Sequence, residues 1–402
     1  MRNFSVSLSA SGRHFSFRGA GLVLGLALLL AACASRPETG ALVVNDKPAD
    51  DATTHDIMIA TTRERDERPG TYFNGERTQG LDYAEAVISV PPSHKASQIE
   101  WPETFPGNPE KDFVTRSAHY IDSQAAFRNR LNQRLAKLPG KDRATFLFIH
   151  GYNTLFAEGL YRFTQFVHDA NFPGVPVLFT WASRGKLTDY VYDLNSALAA
   201  RSALEKTLND MVRSNTQGIV ILAHSMGNQL LMETIRQMSP QDRAALFRKV
   251  ETIVLASPDI DIDVFKEQLR RIGKLREPLI ILTSTDDKAL RFSEAIAGGK
   301  QRVGSYADDK ELADLGTVVL NLTELSGPDA INHNKFAELA QYAPELRSVL
   351  SQRSLGAQST SGNGFEQSGT DLKSFVSSTA QVAITLPISL VTAPLSLVTG
   401  GN

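Results

Sequence analysis

One cysteine, Cys33, stands in 402 residues. No disulfide can therefore form within the chain, and an oxidised framework is excluded as the source of its stability. Charge of one sign is scarce too: 42 Lys and Arg against 44 Asp and Glu leave a net −2, which argues against a nucleic-acid partner. The longest apolar run, GAGLVLGLALLLAAC at 19–33, has 15 residues, short of the roughly 20 that span a bilayer. No histidine pair lies at helical spacing, and GKDRATF and GKLTDY carry Gly-Lys without the upstream glycines of a phosphate loop. Neither a metal nor a nucleotide cofactor is expected. What the chain does have is 42% hydrophobic residues, ample for one large domain or two small ones.

The N-terminus reads as an export signal. Arg13 and Arg18 precede the apolar run, and small residues close it. Leu30-Ala31-Ala32-Cys33 resembles the bacterial lipobox, which implies cleavage of residues 1–32 and lipid on Cys33. Loss of Arg2, Arg13 and Arg18 takes the formal charge from −2 to −5. Ala34, where an acidic residue is absent, implies by the same resemblance an outer-membrane anchor facing the periplasm. Residues 33–53 are polar and turn-rich, a lipidated cysteine and flexible tether with little to pack.

Structure is expected from residue 54 to about 350. Strands are read at HDIMIATTRER and YAEAVISVPP, the second stopped by Pro91 and Pro92. The charges of RERDER read as a solvated face. A rhythm then sets in. ATFLFI (144–149), PVLFTW (176–181), GIVILA (218–223), VETIVLA (250–256), PLIILT (278–283) and TVVLNL (317–322) are continuous apolar runs, the pattern of strands covered on both faces. Between them, Phe156, Leu160, Phe163 and Val167 recur at helical spacing, as do Leu204, Leu208 and Met211. Alternating strand and helix predict an α/β fold: a mostly parallel central sheet, helices on both faces, functional groups beyond the strands' C-terminal ends. Residues 351–372 read as a disordered linker, and 373–402 as an apolar tail that contacts the membrane or docks on the domain's own surface, Pro387 and Pro394 disfavouring a spanning helix.

GIVILAHSMGNQLLMETIRQM supplies a buried-type strand, a serine between small Ala223 and Gly227, and a following helix. That is the layout of a nucleophile elbow at Ser225, with alanine at the first small position where glycine is usual. A serine hydroxyl needs a base, and a base needs a carboxylate. Of eight histidines only His333 follows Ser225, in the polar loop GPDAINHNKF. Between them the run PLIILT ends in Asp286 and Asp287; Asp287 is preferred as the acid, with Asp286 as helix cap or substitute. Asp259 and Asp261 in ASPDIDID are the second candidates. FLFIHGYNT places Gly151 at a sharp turn after a strand, so the main-chain N–H groups of Tyr152 and Met226 are the expected oxyanion donors. His150 precedes the nucleophile and is expected to brace that loop.

FIHGYN, FTWAS, LAHSMGN, LASPDID, TSTDDKAL and NHNKF, in this order, resemble a bacterial α/β-hydrolase family of unknown function, esterase- and lipase-like, over roughly residues 55–350. The resemblance implies an α/β-hydrolase fold and a Ser225–Asp287–His333 triad, with no cofactor. The expected function is a serine hydrolase cleaving carboxylic esters or related acyl substrates, small molecule or lipid, at the cell envelope. The alternatives are a lysophospholipase, thioesterase or amidase using the same triad, or an inert envelope-binding scaffold.

Overall fold

The computed structural model describes residues 36–273, 275–342 and 383–385. The expected signal peptide, Cys33 and the linker 351–372 lie outside them. The strands are β1 (Thr53–Asp66), β2 (Tyr72–Val90), β3 (Val114–Ile121), β4 (Ala144–Ile149), β5 (Val175–Thr180), β6 (Gly218–His224), β7 (Val250–Ala256), β8 (Ile280–Thr283), β9 (Val318–Asn321) and β10 (Ala383–Thr385). They form one sheet in the order β10-β9-β8-β7-β6-β4-β5-β1-β2-β3. All neighbours from β9 through β8, β7, β6, β4 and β5 to β1 are parallel. β2, β3 and β10 run antiparallel to their partners.

Continuous apolar strands have two faces to bury, and both are covered. Along β4, Phe146 and Phe148 point into one core while Leu147 and Ile149 point into the other, as the period of two requires. The first core is filled by helix α2 (Phe156–Asp169), whose Phe156, Leu160, Phe163 and Val167 are buried against the sheet. The second takes α1 (Gln124–Ala136), α4 (Arg201–Arg213), α5 (Met226–Gln237), α6 (Pro240–Lys249) and α7 (Ile262–Ile272) through Leu131, Leu208, Leu230, Leu246 and Phe265. α3 (Tyr190–Ala199), α8 (Lys288–Ile296) and α9 (Asp309–Asp314) complete the described α-helices. No described helix is long and apolar enough to cross a membrane.

Two expectations need correction. The tether 33–53 packs through its middle, at residues 41–45: Leu42 is buried beside α2 in the first core, and Ala41 O accepts from Tyr161 Oη at 2.7 Å. Asn45 N and Nδ2 bond Thr115 O and Gly107 O. The apolar cluster in ALVVN found a sheet flank, which its polar surroundings concealed. The RERDER face is likewise not wholly solvated, because Arg63 is 1% exposed.

The strand order reverses at β4. From β4 the chain goes to β5 on one side and, after two helices, to β6 on the other. In parallel α/β sheets ligands bind in the crevice such a reversal leaves at the strands' C-terminal ends. Here that crevice holds Gly151 and Ser225.

Candidate active site

Ser225 joins β6 to α5 at φ 52°, ψ −124°, a strained conformation for a residue with a side chain. The surroundings over-determine it. Ser225 N donates to Ala256 O at 2.9 Å, and Ser225 O accepts from Asn228 N, Asn228 Nδ2 and Asp259 N at 3.1, 3.0 and 3.2 Å. Gly227 is needed for close approach: a Cβ there would lie 2.4 Å from His150 O. Ala223, the departure from glycine, is fully buried in the core against β4, so its methyl fits.

The loop after β4 lies directly on Ser225. A Cβ on Gly151 would come within 2.7 Å of Ser225 Cβ, so only glycine lets this backbone cross there. Met226, the first residue of α5, has an N–H without an intrahelical acceptor. Tyr152 follows Gly151, and Asn153, at φ 57°, donates its N–H to the buried Asp193 carboxylate at 3.1 Å. Asp193 also accepts from Ser183 Oγ at 2.5 Å and Arg184 N at 3.1 Å. Burial holds its carboxyl above the usual range despite these bonds.

His150 braces this loop, as expected. Its ring stacks on Trp181 and bonds Gly151 O through Nδ1 and Thr180 Oγ1 through Nε2. Burial, with Arg63 beside it, pushes it down to about 3. It stays neutral. Sequence reasoning missed Arg63, which reaches from β1 under the loop and donates to Thr180 Oγ1 at 2.7 Å, Ser183 O at 2.7 Å, Thr154 O at 2.8 Å and Asn74 O at 3.1 Å. Burial pushes the guanidinium down to about 10, against the attraction of Asp193 and Glu158. Arg63→Ala leaves several buried acceptors unmet and is expected to cost about 3 kcal/mol or more, read as a lower urea midpoint with circular dichroism; a change below about 0.5 kcal/mol would show the cross-link to be dispensable.

His333 and Asp287 come together. His333 Nδ1 donates to Asp287 Oδ2 at 2.7 Å, and Asp287 is fully buried. With Nδ1 carrying the proton, neutral His333 has its Nε2 lone pair available. Asp287 Oδ1 also accepts from Leu290 N as the cap of α8. Asp286 turns the other way and bonds Lys335 Nζ and Asn332 Nδ2, the residues that flank the His333-Asn334 pair. Asp329 accepts from the N–H groups of His333 and Asn334. His333 O in turn accepts from His224 Nε2 at 3.2 Å, and the two rings lie 4.6 Å apart. The His333 loop is thus tied to the residue before Ser225. Among the described residues Ser225 Oγ makes no hydrogen bond, and His333 is bonded to Asp287 and, through its carbonyl, to His224.

Burial pushes His333 down, but the Asp287 charge and hydrogen bond outweigh it and the ring ends above its ordinary value. Asp259 does not reach His333 by a hydrogen bond. It accepts from Tyr190 Oη and Ser293 Oγ and pairs with Arg302 at 3.3 Å. Asp261 caps α7. A cavity of about 450 Å³ is lined by Arg63, Phe73, Leu155, Phe156, Arg184 and Lys186 among others. Ser225 is not in its lining, so it is not assigned to the substrate.

A parallel sheet whose strand-order reversal carries a strained serine, a glycine-crossed loop and a His–Asp pair defines an α/β-hydrolase. The chain belongs to the family described as alpha/beta hydrolase of unknown function (DUF900), whose model matches residues 123–353, more than half of the chain. Membership gives it a function of the hydrolase type. No curated protein matches it. The matched region begins after β3, so β1 and its Arg63 lie outside it.

Proposed function

We propose that the chain is a serine hydrolase that cleaves carboxylic esters, or related acyl compounds, through an acyl-serine intermediate at the bacterial cell envelope. The observation that carries this reading is the buried His333–Asp287 pair on a loop bonded to the strained elbow of Ser225. His333 Nε2 takes the Ser225 Oγ proton as Oγ bonds the acyl carbon. The N–H groups of Tyr152 and Met226 hold the oxyanion. The tetrahedral species then collapses, its alkoxide leaving with the proton from His333. Water, deprotonated by His333, releases the acid and restores Ser225. Asp287 orients the ring and stabilises the imidazolium.

A panel of short- and long-chain p-nitrophenyl esters, lysophospholipids, thioesters and amides tests the reading. Turnover that fails in Ser225→Ala is expected for the ester class first. A folded chain silent on the whole panel would favour the inert scaffold. The pH profile is a sharper test. His333 must be neutral to act, so kcat/KM rises with pH through its folded pKa, with a midpoint above 6.5. Stability runs the other way: a folded pKa raised above the unfolded one adds stability below about 6.5 that is lost as pH climbs through the folded value. A kcat/KM limb centred below 6.5 would contradict the assignment.

The lipobox-like LAAC supports attachment through lipidated Cys33 to the outer membrane, facing the periplasm. Cys33→Ala is expected to abolish incorporation of an alkyne-labelled fatty acid and move the chain to the soluble fraction; unchanged labelling would refute the anchor. Of the apolar tail, Ala383–Thr385 pairs antiparallel with Val319–Asn321 of β9, which favours docking on the sheet edge for that stretch.

A further inference from the structure

At the end of the sheet opposite Ser225, three segments bring polar groups together: His55 from the start of β1, His94, Ser97 and Glu100 from the loop after β2, and His168 and Asp169 from the end of α2. α2 starts just past the Gly151–Asn153 loop and runs 14 residues, about 20 Å at the helical rise. The cluster is therefore separate from the hydrolytic site.

One atom of each of His94, His168 and Asp169 lies within 4.8 Å of the others. Their remaining polar atoms are already held. His94 Nδ1 bonds Glu100 Oε2 at 2.7 Å; Asp169 Oδ2 accepts from Ser97 N at 2.7 Å and Gln165 Nε2 at 2.6 Å; His168 Nδ1 pairs with His55 Nε2 at 3.1 Å. That leaves His94 Nε2 facing Asp169 Oδ1 at 2.9 Å. The rings of His94 and His168 stand 5.2 Å apart and nearly perpendicular. Two imidazoles on one tetrahedral zinc, with Zn–N of about 2.0–2.1 Å, have ring centres roughly 5 Å apart. Metal-bound histidines also pass their second nitrogen to a carboxylate or similar partner, as His94 does to Glu100.

We propose that His94, His168 and Asp169 bind one divalent transition ion of the zinc class, with water as the fourth ligand. The ion fastens the loop at 94–100 to the end of α2. On binding, the proton that His94 Nε2 shares with Asp169 Oδ1 leaves to solvent, and the nitrogen and oxygen lone pairs go to the metal. Without an ion His94 bridges the two carboxylates, Nδ1 to Glu100 Oε2 and Nε2 to Asp169 Oδ1. Spacing rules miss this set because its ligands come from two segments far apart in sequence.

The test uses the full chain, stripped with chelator and titrated with Zn²⁺ by calorimetry in two buffers at pH 8, and with Co²⁺ by visible absorption. Expected are one equivalent bound, proton release, a melting temperature raised by several degrees, and tenfold or greater loss of affinity in His168→Gln and Asp169→Asn. His119→Ala, on an exposed position of β3, should bind as the wild type does. X-ray absorption of the zinc-loaded wild type should show two imidazole ligands, a readout that survives misfolding of any variant. No stoichiometric uptake by folded wild type, affinity unchanged in both variants, or a shell without imidazole would overturn the site.

Discussion

Ser225→Ala is expected to lower ester turnover by about a millionfold, since removing the nucleophile of a concerted triad costs nearly as much as removing the triad. The fold should survive. Ser225 Oγ makes no hydrogen bond among the described residues, and the elbow is held through backbone groups and Asn228. Ser225→Gly separates chemistry from strain. At φ 52° and ψ −124°, glycine relieves a backbone cost of roughly 1–3 kcal/mol, so this variant should be as inactive as Ser225→Ala yet more stable than the wild type. Denaturant midpoints beside initial rates decide it. An inactive Ser225→Gly that is also less stable would mean that the elbow is not strained.

Asp287→Asn carries the second largest effect, about 10⁴-fold in kcat, because an amide cannot hold His333 with its proton on Nδ1. Stability should change little by comparison, as the Asn carbonyl can still accept from Leu290 N at the start of α8. Asp259→Asn gives the contrast: its carboxylate serves Tyr190, Ser293 and Arg302, so stability falls and kcat stays within about tenfold. Rates that fall for Asp259→Asn and hold for Asp287→Asn would reassign the acid.

The parallel half of the sheet was legible because its strands are buried on both faces and read as unbroken apolar runs. ATFLFI and VETIVLA are β4 and β7 residue for residue. The order Ser225, Asp287, His333 was legible for a different reason: each follows an apolar run, where a parallel sheet delivers side chains to one edge. What pairs with what was not. Asp286 and Asp287 are adjacent acids, and only the cap geometry of α8 turns Asp287 to His333 and Asp286 to Lys335. Arg63 sat in a string of charges, and the cue that could have singled it out is strand alternation after Ile57, Ile59 and Thr61, blurred by the irregular register between Thr61 and Arg63. Asp193 could have been noticed as the lone acid in YVYDLNSALA, an otherwise uncharged helix. β3, VTRSAHYI, alternates too weakly to stand out from a loop.

The central claim is that Ser225 is an activated nucleophile. A fluorophosphonate probe on the purified chain, followed by peptide mapping, tests it most directly. The expected result is a single adduct on the peptide containing Ser225, lost in His333→Ala and strongly slowed in Asp287→Asn. A folded chain that takes up no probe, or an adduct elsewhere that is indifferent to His333, would contradict it.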